Sequence, residues 1–361
     1  MFGSNLQIAP TPVRIAVRLE PVVSILNIIS LPMSLDSNPG IRNWLHGVDD
    51  AKHIIEQTNR LMSLCSPEVL IMAVPDYADN FPDFLEQLAT LDAVALRDCA
   101  ARAVADSVHL RLSDQLPKDR PDFSRLIDDE AYFLAYLREV NSEYDSPPET
   151  YLRQIHAYLN DPLRLKTETL AHLRQMWTDY IAAEWQQVLP TLEKSVQALS
   201  RIDTHNMPIF DSLQAITGRN LRTLFNDDAI NQLKSVVLIP SVHNGPYVSW
   251  MGYDDTVFLM FGARIPAAVN QLDATELINR LNAIADETRL NILQAIKTAG
   301  ELSTQDVIDR FNLDKSAASR HLMLLRANEL IHDRRENKVK YYSLNPAMID
   351  AITQTLTGLL G

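Results

Sequence analysis

Residues 314–331 read DKSAASRHLMLLRANELI. On a helix turning 100° per residue, Ser316, Ser319, Arg320 and Met323 share one side and Ala318, Leu322 and Leu325 the other. The first side carries two hydroxyls and a guanidinium close to the helix N-terminus, with Lys315 at its start. Such groups suit the edges of base pairs. An arginine can bond guanine O6 and N7 together, and a serine can bond a base or a phosphate. Small residues at 317–319 permit close approach. The plain alternative is an amphipathic surface helix with incidental charge, and this stretch alone leaves both open.

The flanks narrow the choice. Ser303-Thr304-Gln305-Asp306 has the form of a capping box, so a short helix TQDVIDRF is expected, ending near Asn312. Asp314 can cap the next helix. About three residues separate the two, the spacing of a helix-turn-helix. After the second helix, NELIHDRRENKVKYYSLNP alternates toward its end around a turn at 336–338, which predicts a β-hairpin. Arg334, Arg335, Lys338 and Lys340 gather at that turn, placed for phosphates beside a groove. A helix-turn-helix followed at once by a basic hairpin predicts a winged helix. Thr304, Lys315, Ser316, Ser319 and Arg320 are then the candidate contacts of its helices.

Charge supports a local surface of this kind. The chain has 361 residues and a formal net charge of −13. Residues 315–342 hold seven Lys/Arg against three acids, a local net of +4, which leaves −17 for the rest. The acidic body argues against general nucleic-acid affinity, while the basic patch is the footprint of a confined interface.

Three pieces, LNAIADETRLNILQAI, GELSTQDVIDRFNLDKSAASRHLMLLRANELI and RRENKVKYYSLNP, occur in order and together resemble the ArsR-type winged-helix transcriptional regulators. The resemblance covers about residues 275–350, a quarter of the chain. It implies a homodimer on a palindromic operator in double-stranded DNA, usually a repressor released by a signal. It also implies that a first helix at 277–297 and the last at 346–360 form the dimer. The stripe Ile349, Ile352, Leu356 and Leu359 would equally suit packing on the N-terminal part. The sequence departs from metal-sensing relatives: ELSTQ at 301–305 holds no Cys, and the last helix holds no His or Glu for a zinc site. No metal or cofactor is therefore expected, and His321 reads as a packed side chain.

The positioning elements divide the chain in two. Residues 1–268 read as an α+β sensor or interaction domain, mostly helical with some strands, and 269–361 as the winged helix. PVRIAVRL at 12–19 alternates like a strand. Helices are expected over about 39–66 and 79–112, then a long one over 162–201 that Pro190 should kink or split. Asp76 and Asp79 are expected to cap the helix that follows them. The Trp177/Trp185 stripe reads as core. Residues 235–266 predict two or three strands with turns at 244–246 and 252–255. His243, Tyr247 and Trp250 in that region are the candidate ligand contacts, although a domain–domain interface suits them better.

Several functions lack their motifs. Gly is scarce at 10 residues, and no GxxxxGK[ST], GxGxxG, GxSxG or HExxH occurs. Cys65 and Cys99 match no zinc or redox spacing and read as packed thiols. No apolar run reaches the roughly 20 residues of a membrane span. The expectation is a cytoplasmic, non-enzymatic, DNA-binding regulator whose N-terminal domain answers a non-metal small-molecule or protein effector. Two alternatives remain: a protein-interaction module that uses the winged helix as its contact surface, and an enzyme with an appended regulatory domain.

Overall fold

The structure, a computed structural model, describes residues 13–34, 51–105, 121–140, 148–222, 225, 230, 232–264, 272, 274–336 and 339–360. It is a mixed α+β fold. In the N-terminal part, strand β1 (Arg14–Val17) is followed by helices α1 (Pro21–Ser30), α2 (Ala51–Met62), α3 (Pro67–Ala73), α4 (Phe81–Thr90) and α5 (Ala93–Ala105). Then come α6 (Phe123–Asp128), α7 (Glu130–Val140), α8 (Glu149–Leu159), α9 (Pro162–Gln175), α10 (Ala182–Leu199) and α11 (Ile209–Thr217). Strands β2 (Ser235–Ser241), β3 (Ser249–Tyr253) and β4 (Thr256–Gly262) close this part.

The sheet runs β1-β2-β4-β3, with β1 and β4 parallel to β2 and β3 antiparallel to β4. Period-two alternation sends Val237, Ile239, Phe258 and Met260 to one face, against a core built by α1–α10. Val236, Leu238, Val257, Leu259 and Phe261 point the other way, against Leu199, Phe210, Leu213 and Ile216. Helices cover both faces, which is why these strands read as continuous apolar runs. The expected turn at 252–255 is present, with Asp254 at φ 53°. The bend at 244–246 does not join neighbours, because β4 lies between β2 and β3.

Other expectations need correction. Helix α1 was hidden from periodicity because residues 22–29 are all buried, leaving no polar face to mark it. Of the helical region expected over 39–66, α2 is present, with 35–50 outside the described residues, and α3 follows beyond its end; that over 79–112 is α4 and α5, with 106–112 outside. Asn80, not Asp79, caps α4, accepting from Asp83 N at 3.0 Å. Pro190 sits inside α10 without splitting it. The irregularity falls earlier, in a π-helical turn at Met176–Ile181 between α9 and α10. Trp185 is buried and Trp177 packs its ring 5.5 Å from Phe81, as the core reading expected. Cys65 is buried, and burial pushes its thiol up to about 12.

The C-terminal part comprises α12 (Ala274–Ile284), α13 (Glu287–Ala299), β5 (Glu301–Ser303), α14 (Thr304–Phe311) and α15 (Lys315–Ala327), then β6 (Ile331–Glu336), β7 (Val339–Leu344) and α16 (Pro346–Leu360). Its core gathers Ile292, Ile296, Val307, Ala318, Leu322, Leu325, Leu330 and Ile331. The single first helix expected at 277–297 is two. Asp286 caps α13 by accepting from Arg289 N at 2.9 Å, and the Arg289 guanidinium bonds the carbonyls of Ala283 and Asn282 that α12 leaves open. Asp286 closes the start of one helix and Arg289 the end of the other, so the break is a built corner. Among the described residues no helix is long and apolar enough to cross a membrane.

Candidate nucleic-acid interface

Helix α14 begins with the expected capping box. Ser303 Oγ accepts from Asp306 N at 3.2 Å, and the Asp306 carboxylate accepts from Ser303 Oγ at 2.7 Å and from Ser303 N at 2.8 Å, the hydroxyl first and the N–H second holding it below its ordinary range. The helix ends at Asn312 in the left-handed region, φ 51°. Asp314 Oδ1 then accepts from Ala317 N at 2.7 Å and starts α15. Ala318, Leu322 and Leu325 are buried as the wheel predicted, joined by Leu324. Lys315 and Ser316 are exposed and Ser319 and Arg320 half-exposed. Arg320 Nη1 donates to Ser316 Oγ at 2.7 Å, one turn back, so the guanidinium rests toward the helix N-terminus. Thr304 is half-exposed at the first position of α14. Burial lowers the pKa of His321, which packs 3.9 Å from Asp286.

The wing is a hairpin of β6 and β7, with β5 on the far side of β7. Its register sets Glu336 opposite Val339 and Arg335 opposite Lys340. Lys338 and the Arg335 side chain lie outside the described residues. Arg334 is already engaged. It donates to both Glu301 oxygens at 2.6 and 3.0 Å and to Glu336 at 2.6 Å, and its guanidinium stands 4.8 Å from the Tyr341 ring. Those bonds hold Arg334 above its ordinary pKa and Glu301 below its own. A phosphate contact at Arg334 must compete with two carboxylates.

The candidate ligand residues of the N-terminal part do not converge. His243 is buried, 3.2 Å from Glu184. Trp250 packs edge-on to Phe225 at 5.8 Å. Tyr247 leaves them and packs against the core of the winged helix. Among the described residues no group of three or more His, Cys, Asp or Glu could hold a metal.

Tyr247 sits where the domain–domain reading of this region put a contact, and that contact extends to residues the sequence did not point to. Arg219 Nη1 donates to Ala327 O, the end of α15, at 2.7 Å. Asn220 N donates to Glu329 at 3.1 Å, and Arg280, 1% exposed, donates to the same carboxylate at 3.3 Å. Glu329 holds φ at 57°, where a non-glycine residue is uncommon. Asn345 Nδ2 donates to its carbonyl at 2.9 Å. The C-terminal end of α15 is thus tied to the N-terminal part, to α12 and to the start of α16. The sequence pointed elsewhere, because Glu329 has Arg326 three residues before it as an apparent partner.

Comparison with known proteins meets this geometry at the same residues. The profile of a helix-turn-helix domain family matches 284–334. "Transcriptional repressor SdpR" of Bacillus subtilis is 38% identical over 71 residues, 20% of this chain and 78% of its own length. The "Arsenical resistance operon repressor" of Staphylococcus aureus is 35% identical over 81 residues, 22% of this chain and 77% of its own. "Transcriptional activator HlyU" of Vibrio cholerae is 30% identical over 95 residues, 26% and 87% respectively. A solved structure of HlyU aligns over 24% of this chain and 95% of its own, at 32% identity and a TM-score of 0.21.

Proposed function

This chain belongs to the ArsR-type helix-turn-helix regulators, and we propose that it acts as a dimeric transcriptional repressor whose grip on a palindromic operator is set through its N-terminal domain by a non-metal signal. The observation that carries this reading is α15. One face is buried in the core while Lys315, Ser316, Ser319 and Arg320 stand on the other, beside a hairpin rich in cations. We place α15 in the major groove, with Arg320 on guanine and the serines on bases or phosphates. Thr304, Arg334, Arg335, Lys338 and Lys340 take the backbone. Arg334 does so by exchanging Glu301 and Glu336 for phosphate.

Exposed apolar residues support the dimer. Ile278 on α12, Leu290 on α13 and Leu359 and Leu360 on α16 are 56%, 43%, 63% and 85% exposed. They lie on the elements that the family uses to pair. Two copies related by a two-fold axis would set their α15 helices about one DNA turn apart, roughly 10 bp. Operator occlusion then gives repression. We assign no catalytic step to the chain and place it in the cytoplasm, where it meets its operator. Selection from random duplexes with the purified protein, followed by sedimentation of the complex, tests the reading. The expected product is an inverted repeat bound by two chains. Recovery of unrelated sequences, or a single chain per site, would overturn it.

A further inference from the structure

The seam between the two parts encloses a cavity of about 410 Å³, within the span of roughly 300–1,000 Å³ typical of small-molecule sites. One wall comes from the N-terminal part, through Arg219, Leu221, Tyr247 and Val248. The other comes from the end of α15 and the root of the wing, through Arg326 and Ile331. Leu221 and Ile331 are nearly fully buried, and the Tyr247 ring is half-buried beside them. The cavity therefore has an apolar floor and charged rims.

The rim itself carries Arg219 and Arg326 against Glu329 and Asp333, but Arg280 behind it competes for Glu329. Arg326 has Asp333 at 3.5 Å. Arg219 and Arg280 share the single carboxylate of Glu329, at 3.9 and 3.3 Å. Arg264 and Glu276 form an adjoining pair at 3.5 Å. Among the described residues, three guanidiniums at the seam thus pair with two carboxylates, in positions 16% exposed or less. Asp350 is exposed and lines a neighbouring cavity beside Arg264 and Arg280, a cavity that Arg219 does not line. Arg219 is 8% exposed and uses one nitrogen on Ala327 O. Its Nε and Nη2 have no hydrogen-bond partner among the described residues. A buried cation with half a counter-charge is an unfavourable state that one added negative charge corrects. A dianion would meet Glu329 and Asp333, so a single charge fits better.

We propose that this cavity binds a small organic monocarboxylate with an apolar, ring-sized body. The carboxylate takes the Arg219 guanidinium, bidentate through Nε and Nη2. The body lies on Leu221, Val248, Ile331 and the Tyr247 ring. Because Arg219 also holds the last carbonyl of α15, occupancy acts on the end of the groove-reading helix. That consequence, though not the binding itself, rests on the regulator reading above.

The test uses the full chain and three probes, benzoate, phenylacetate and 1-naphthoate, each beside its uncharged amide. Thermal unfolding and titration calorimetry are run without DNA, and operator binding is measured separately without probe. At least one acid is expected to raise the midpoint saturably at millimolar concentration while its amide does not. Arg219→Gln should weaken that acid at least tenfold. Val248→Trp, which fills the cavity and keeps the guanidinium, should weaken it as much, so a folding defect at Arg219 does not decide the matter. If acids and amides behave alike, or if both variants bind the acid like the parent, the proposal is overturned. Discrimination of acid from amide with no sequence-specific DNA binding would keep the site and sink the regulator reading. The reverse pattern would do the opposite.

Discussion

Glu329 is the place where one substitution should be felt across the whole molecule. Its carboxylate accepts from Asn220 N at 3.1 Å and Arg280 at 3.3 Å, with Arg219 at 3.9 Å. Arg280 and Arg219 are 1% and 8% exposed, so neither can turn to water when the carboxylate is removed. Breaking a buried pair by deleting one partner costs about 3–5 kcal/mol, because the other charge is left buried. Glu329→Gln keeps the shape and an acceptor for Asn220 but deletes the charge, and should fall at the lower end, about 3 kcal/mol. Glu329→Gly deletes both yet relieves the left-handed backbone, which recovers roughly 1–2 kcal/mol. The two variants should therefore end close together, although glycine removes more atoms. Urea unfolding of the full chain, followed by tryptophan fluorescence, reads both. Glu336→Gln removes an exposed partner of Arg334 and serves as the control that leaves the midpoint in place. A cost below about 1 kcal/mol for Glu329→Gln would refute the claim that this carboxylate ties the two parts together.

Three further outcomes follow from the geometry. His172 is buried with Nε2 bonded to Thr58 Oγ1 at 2.9 Å, and desolvation pushes its pKa down to about 4. Between about 4 and the ordinary value near 6.5, the unfolded chain binds the proton and the folded chain does not. Stability should therefore fall as pH is lowered through that window, by about 3 kcal/mol at most. Urea midpoints should show this loss, and His172→Asn should remove it; an unchanged slope in the variant would assign it elsewhere. Asp314→Ala removes the cap of α15 and should cost about 1 kcal/mol of stability, read by thermal unfolding; no loss would mean that the cap bond is idle. Glu301→Gln releases Arg334 from its bidentate partner and should tighten DNA binding and steepen its salt slope by up to about one unit. A slope equal to the parent's would show that Arg334 never reaches a phosphate.

The parts legible in the sequence were those whose signals are local. The capping box at Ser303, the cap at Asp314, the wheel of α15 and the alternating hairpin each need only a few neighbouring residues, and all four stand in the structure. The corner at Asp286 was within reach, since Asp-Glu-Thr-Arg carries both the cap and the arginine that closes α12. It was missed because the apolar spacing runs on through it. Helix α1 and the order β1-β2-β4-β3 were not legible. The first is buried on every side, and the second pairs Ile15 with Val236 across most of the chain. An interface at Tyr247 was legible, but the polar ties of the seam were not, for the same reason: Arg219 and Glu329 stand 110 residues apart, and Glu329 adopts a conformation that no glycine or asparagine announces.

The central claim is that α15 reads base pairs, and Arg320 tests it most directly. The duplex recovered by selection is titrated with parent and Arg320→Ala protein by fluorescence anisotropy at two salt concentrations, beside a scrambled duplex. The account predicts tight, salt-dependent binding by the parent. The variant should lose about 1–3 kcal/mol on the selected duplex and almost nothing on the scrambled one. Equal binding of the selected duplex by both proteins, or parent binding that ignores sequence, would contradict it.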